Sequence, residues 1–140
     1  MNEFVPDFST LNFLSNPLKA YHILPEKRKL ICWTSLQAMS DGNQILLERT
    51  VRQLQVNLLV KVTQLQNATK AHDWDSVYRL AKALKSSLDI VDANIVQNLF
   101  DIIVQRAFLK AKVDSIPRLV QMCTTLCYTV LHELEQSEPS

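Results

Sequence analysis

The chain has 140 residues, 47% of them hydrophobic and 21% charged, which is enough apolar material for one domain with a real core. With 15 basic and 14 acidic residues the formal net charge is +1, so no global charge points to nucleic acid or to an anionic membrane. The single glycine, Gly42, and the prolines at Pro6, Pro17, Pro25, Pro117 and Pro139 leave Asn43 to Ile116 without the turn residues a multistranded antiparallel sheet needs, which argues against an all-β fold.

Residues 1–24 mix aromatics with Pro6, Pro17 and Ser/Asn pairs and show no sustained period, so they read as an irregular arm. Phe4, Phe8, Phe13 and Leu14 are expected to dock on the rest of the chain, because solvated linkers rarely carry so many aromatics. MNEFVPDFST lacks the basic region and apolar core of a secretory signal, and no apolar run approaches the ~20 residues of a bilayer span. The expectation is a cytoplasmic protein with no membrane partner.

One helical domain is expected over residues 25–136. Pro25 and Glu26 suit a first turn, Leu30, Trp33, Leu36 and Met39 share a stripe, and Asp41-Gly42 closes this short helix. A long helix follows from about Asn43 to Thr69, with Ile45 or Leu46, Val51, Leu54, Leu58, Val62 and Leu65 inward. Asp73 is the expected N-cap of a helix from Trp74 to Leu88, with Val77, Leu80, Ala81, Leu84 and Leu88 inward. Another covers Ala93 to Ala111, burying Val96, Leu99, Phe100, Ile103 and Ala107. In the last helix, capped by Asp114 or Ser115 and tolerating Pro117 in its first turn, the stripe is Leu119, Met122, Leu126, Val130 and Leu134. The acidic end from Glu133 reads as fraying, with 137–140 a frayed tail. Four substantial amphipathic helices joined by short links describe an all-α fold, an antiparallel four-helix bundle with an extra short N-terminal helix and the irregular arm.

Cys32, Cys123 and Cys127 are odd in number and cannot all pair within the chain. Cys123 and Cys127 share a helix face, but His132 lies roughly 140° round the helix from Cys127, so buried thiols are expected and no metal or cofactor. Trp33 and Trp74 read as anchors between helices.

The stretch Ala71-His-Asp-Trp-Asp-Ser-Val-Tyr-Arg-Leu-Ala-Lys-Ala-Leu-Lys-Ser-Ser-Leu-Asp-Ile-Val-Asp-Ala93 resembles the central segment of histidine-phosphotransfer (HPt) domains. That segment runs from a Gly-Asp-Trp-like helix start through Leu-Ala-His-x-Leu-Lys-Gly-Ser to a Gly-Ala turn. Leu80, Ala81, Leu84, Lys85, Ser87 and Ala93 match it, and Val96, Leu99, Phe100, Ile103 and Val104 continue the register into the next helix. With the long preceding helix, the resemblance covers roughly residues 43–135. Three departures fall at the family's functional positions: Lys82 replaces the phospho-acceptor histidine, Ser86 the glycine four residues later, and Asp92 the turn glycine.

Phosphoryl relay needs a nucleophile with a free lone pair near neutral pH, which histidine (about 6.5) supplies and lysine (about 10.4) does not. The resemblance therefore implies a pseudo-HPt, not an enzyme. Position 82 is expected on an outward face with Tyr78, Arg79, Lys85, Ser86 and Asp89, where Arg79, Lys82 and Lys85 form a local basic stripe. In the family this face docks on a receiver domain whose phosphorylation pocket is lined by carboxylates. The implied partner is a response-regulator receiver or a histidine kinase of two-component signalling, bound so as to inhibit or bridge phosphorelay.

Two other functions compete with this one. The helices or the arm could serve assembly or hold a partner protein through an apolar patch, or another histidine could carry phosphate. His22, His72 and His132 all lack the family's Leu-x-His-x-Leu-Lys setting. The sequence leaves the oligomeric state open.

Overall fold

The computed structural model describes residues 30–136, so the expectations for the arm, for 25–29 and for 137–140 lie outside the described residues. Within them the chain is all-helical, with five α-helices and no strand: α1 Thr34–Ser40, α2 Gln44–Lys70, α3 Trp74–Ser87, α4 Asn94–Leu109 and α5 Ile116–Gln136. Short 3₁₀ turns precede α4 and α5, at Leu88–Val91 and Val113–Ser115.

Local chemistry sets these boundaries. Asn43 caps α2 by accepting a hydrogen bond from the Leu46 amide (3.1 Å), and Asp73 caps α3 by accepting from the Ser76 amide (3.2 Å). The joints turn on left-handed residues, Asp41, His72, Asp92, Lys110 and Lys112, besides Gly42. Short polar side chains tolerate that conformation, which suits Asp41 and Asp92. The expected caps of α5 do not act as such. Asp114 and Ser115 belong to the 3₁₀ turn, where Ser115 Oγ accepts from Arg106 and donates to the Lys112 carbonyl.

α2 packs against α3 and α5, and α4 packs against the same two helices, while α1 lies across α2 and the 3₁₀ turn that follows α3. One continuous cluster of buried side chains runs from Leu30 to Leu134, with Trp33 and Trp74 half-buried against it. The inward stripes expected for α3, α4 and α5 are all buried.

Four further expectations need correction. Residues 30–33 are an irregular strap, bent at Leu30 and Trp33, and not helix, and α1 begins only at Thr34. Met39 is 57% exposed, because from Leu36 the inward step runs four residues to the buried Ser40. In α2 the inward residue of the first turns is Leu47, 6% exposed, while Ile45 is 70% exposed and Leu46 is also outward. Glu133 is not frayed. It is 6% exposed in a helix that continues to Gln136.

Glu133 has a structural partner. Its carboxylate accepts the Leu30 amide at both oxygens (3.0 Å each) and the Ile31 amide (3.1 Å). The strap then meets the 3₁₀ turn after α3, where the Cys32 amide donates to the Val91 carbonyl (2.7 Å), and in α1 the Ser35 hydroxyl donates to Asp92 Oδ2 just beyond that turn (2.8 Å). Buried amides outside regular structure must find acceptors, and one carboxylate supplies them here.

Candidate docking face

α3 positions the sequence-derived site. Its apolar side, Val77, Leu80, Ala81 and Leu84, is sealed in the core, so the helical period turns Arg79, Lys82, Ser86 and Asp89 outward, all of them exposed. Tyr78 and Lys85 are half-buried instead, leaning toward α4.

That lean changes the expected stripe. Lys85 Nζ pairs with Asp101 Oδ1 of α4 at 2.9 Å, with both side chains about 40% exposed. Gln97 reinforces the seam, its Nε2 donating to the Lys85 carbonyl (2.9 Å) and to Asp89 Oδ1 (3.4 Å). Lys85 is thus committed to holding α4, and the outward basic pair is Arg79 and Lys82. Arg79 Nη2 donates to Ser76 Oγ (3.1 Å), whose hydroxyl donates to the Asp73 carboxylate (2.7 Å). Those contacts from Ser76 hold the Asp73 carboxyl below its ordinary value. No carboxylate among the described residues pairs with Arg79 or Lys82.

Lys82 lies along Tyr78. Its ammonium is 5.5 Å from the ring centroid and donates to the phenol oxygen at 3.4 Å. Tyr78 in turn packs on Phe108 of α4, with ring centroids 5.3 Å apart and tilted 40°. Phe108 is 65% exposed and its neighbour Leu109 is exposed as well, so an apolar shoulder flanks the cationic centre. Sequence reasoning missed Phe108. The signal was present: it falls between the inward positions Ile103 and Ala107 and the end of α4, off the buried stripe. Ion pairing of Lys110 with Asp75 (2.9 Å) closes the same edge, although both groups are well exposed and such pairs contribute little.

At Asp92 the backbone is left-handed (φ 51°). The aspartate therefore adopts a conformation for which glycine is the usual choice. Ser86 presents only a hydroxymethyl to solvent, one turn beyond Lys82.

The histidines are placed elsewhere. His72 sits in the α2–α3 joint, stacked on Trp74 (5.3 Å between centroids, 14°), His132 is exposed on α5, and His22 is outside the described residues. Cys123 and Cys127 are buried in α5, and no group of three His, Cys, Asp or Glu side chains able to hold a metal ion occurs among the described residues. Burial pushes the Cys127 thiol up to about 12, and it pushes Cys123 well up too, with the neighbouring Cys127 as a lesser cause.

Both thiols thus stay protonated in the folded chain when those of the unfolded chain ionise, near 9. Their stabilisation is complete below that pH and is lost as pH rises from about 9 toward 12. For Cys127 the loss should be about 1.4 kcal/mol per pH unit over that range, and Cys123 acts in the same direction. Urea midpoints measured between pH 8 and 11 should fall steeply in the parent and less steeply in Cys127→Ala.

No helix among the described residues is long and apolar enough to cross a membrane. Comparison with protein-family models, with curated proteins and with solved structures finds no match for the chain.

Proposed function

We infer that this chain is a non-catalytic, HPt-like binding module that docks on a receiver domain or a histidine kinase through the outer face of α3, and so inhibits or bridges phosphorelay. The observation that carries this reading is Lys82 itself, exposed in mid-α3 beside Arg79, with no carboxylate among the described residues paired to either. An ammonium offers three donors and no lone pair, so it fits a carboxylate-lined pocket without accepting phosphate.

Further support comes from the burial of Leu80, Ala81, Leu84, Val96, Leu99, Phe100 and Ile103, positions that match the family pattern. The closed circuit of packed pairs, α2 with α3, α3 with α4, α4 with α5 and α5 with α2, favours an antiparallel four-helix bundle with α1 as the extra short helix. Phe108 and Tyr78 add the apolar contact area that a purely cationic face would lack.

The test is titration calorimetry against the receiver domains encoded by the source organism. Arg79→Ala with Lys82→Ala should weaken binding tenfold or more, which is about 1.4 kcal/mol. Lys85→Ala should do less, because that lysine already holds Asp101. Absence of binding to every receiver overturns the reading.

Assembly through an apolar surface is the second reading, favoured by the exposure of Phe108 and Leu109. It predicts concentration-dependent sedimentation of the parent, abolished by Phe108→Ser.

A further inference from the structure

The outer face of α2 has no part in the α3 site. Its exposed stripe starts at Leu46 and ends at Lys70, stepping alternately three and four residues. Any helix offers such a stripe, and what sets this one apart is its filling. At the centre Val56 and Val60 are 56% and 49% exposed, and Leu59 on their flank is 47% exposed. Val56 and Val60 also line a groove of about 430 Å³ that runs back to Arg49. From Gln53 to Asn67 no exposed residue of the helix carries a charge, whereas the solvent face of a surface helix is ordinarily charged.

This stripe is complementary to itself. When two copies meet antiparallel about a two-fold axis level with Leu58, Leu46 faces Lys70, Arg49 faces Asn67, Gln53 faces Thr63 and Val56 faces Val60, each pair occurring twice. Valines then meet at the middle, Leu59 comes beside its own copy, and the guanidinium of Arg49 meets the side-chain amide oxygen of Asn67. Glu48 is the single acid of α2 and lies on the same flank as Leu59, which brings it to Lys70 of the second copy. Neither Glu48 nor Lys70 has an ion-pair partner among the described residues.

The other arrangements are worse. A parallel pair sets Arg49 on Arg49 and Lys70 on Lys70, and like charges face to face cost affinity. Sliding the antiparallel pair by seven residues moves Val56 off Val60 and onto Gln53 or Asn67. Orientation and register are therefore both specified by the residues present.

We propose that α2 pairs with α2 of a second copy of this chain, antiparallel and centred at Leu58, as a reversible homodimer. One helix pair with so short an apolar centre buries little area, so the dimer dissociates on dilution. The seam lies on α2, away from the α3 face and from Phe108 of α4, and the assignment stands independently of receiver binding.

Sedimentation velocity of the full chain should show a dimer whose share rises with concentration. Val60→Glu, at an exposed position, should raise the midpoint concentration about tenfold or more, while Phe108→Ser leaves it unchanged. Glu48→Lys should weaken the dimer, and adding Lys70→Glu should restore it. Orientation is read from the distance between nitroxides on Ile45→Cys in a Cys32→Ser background; Cys123 and Cys127 are buried and escape labelling. Residue 45 opens α2 and meets the far end of the second copy's helix, so the labels should stand about 40 Å apart, against under about 20 Å for a parallel pair. A chain that stays monomeric at every concentration overturns the proposal. So does a dimer unmoved by Val60→Glu, one lost in Phe108→Ser, or one with the shorter label distance.

Discussion

Glu133→Ala should destabilise the protein by about 3 kcal/mol, judged from two charge-assisted hydrogen bonds lost and two buried donors left unpaired. The amides of Leu30 and Ile31 have no alternative acceptor in regular structure, since the strap there is neither helix nor strand. Glu133→Gln keeps one acceptor oxygen and the shape of the side chain, so its loss should be nearer about 1 kcal/mol. Urea unfolding gives the global figure. Hydrogen exchange at Leu30, Ile31 and Cys32 shows whether the strap lifts off before the helices part. An unchanged midpoint in Glu133→Ala would mean that water takes the place of the carboxylate.

The second large effect concerns position 82. If the α3 face docks as inferred, Lys82→His combined with Ser86→Gly should make residue 82 a phosphate acceptor. The imidazole nitrogen would attack the phosphoryl group of a phosphorylated receiver, and the receiver's aspartate carboxylate would leave. Mass spectrometry after incubation with the phosphorylated receiver should place the label on residue 82, with none on the parent. Position 82 is already exposed and requires no rearrangement of the core. A double variant that binds the receiver as the parent does yet takes no label would show that the face docks in another orientation.

Legibility varied along the chain for physical reasons. The inward residues of α3, α4 and α5 were readable because each helix alternates cleanly between apolar and polar faces, and 3.6-residue periodicity then sets the phase. At the start of α2, Ile45, Leu46 and Leu47 are apolar in succession, so the local pattern has no phase. Counting seven residues back from the buried Leu54 selects Leu47, so the longer period held information that the first turn lacked. Met39 was misplaced by stepping three residues at a time through a segment whose first part is not helical.

From the sequence, Glu133 reads as the start of a frayed acidic end. Yet it lies three residues beyond the buried Val130, and that position already implied an inward direction. In the candidate site, outward placement of Arg79 and Lys82 followed from the same period. The diversion of Lys85 to Asp101 did not, because which residues of two helices face each other depends on their relative height and rotation. Phe108 was missed through attention to one helix alone.

The clasp at Glu133 also bears on how the molecule comes together. It joins residues 103 positions apart in the chain, whereas α2 with α3, and α3 with α4, meet through short connections. Loop closure over such a separation must wait until much of the chain is already compact. The clasp should therefore be largely unmade in the folding transition state, so Glu133→Ala would leave the folding rate nearly unchanged and hasten unfolding. In that sense the contact between Leu30 and Glu133 acts as a fastening on the fold's lifetime more than as a guide to its formation.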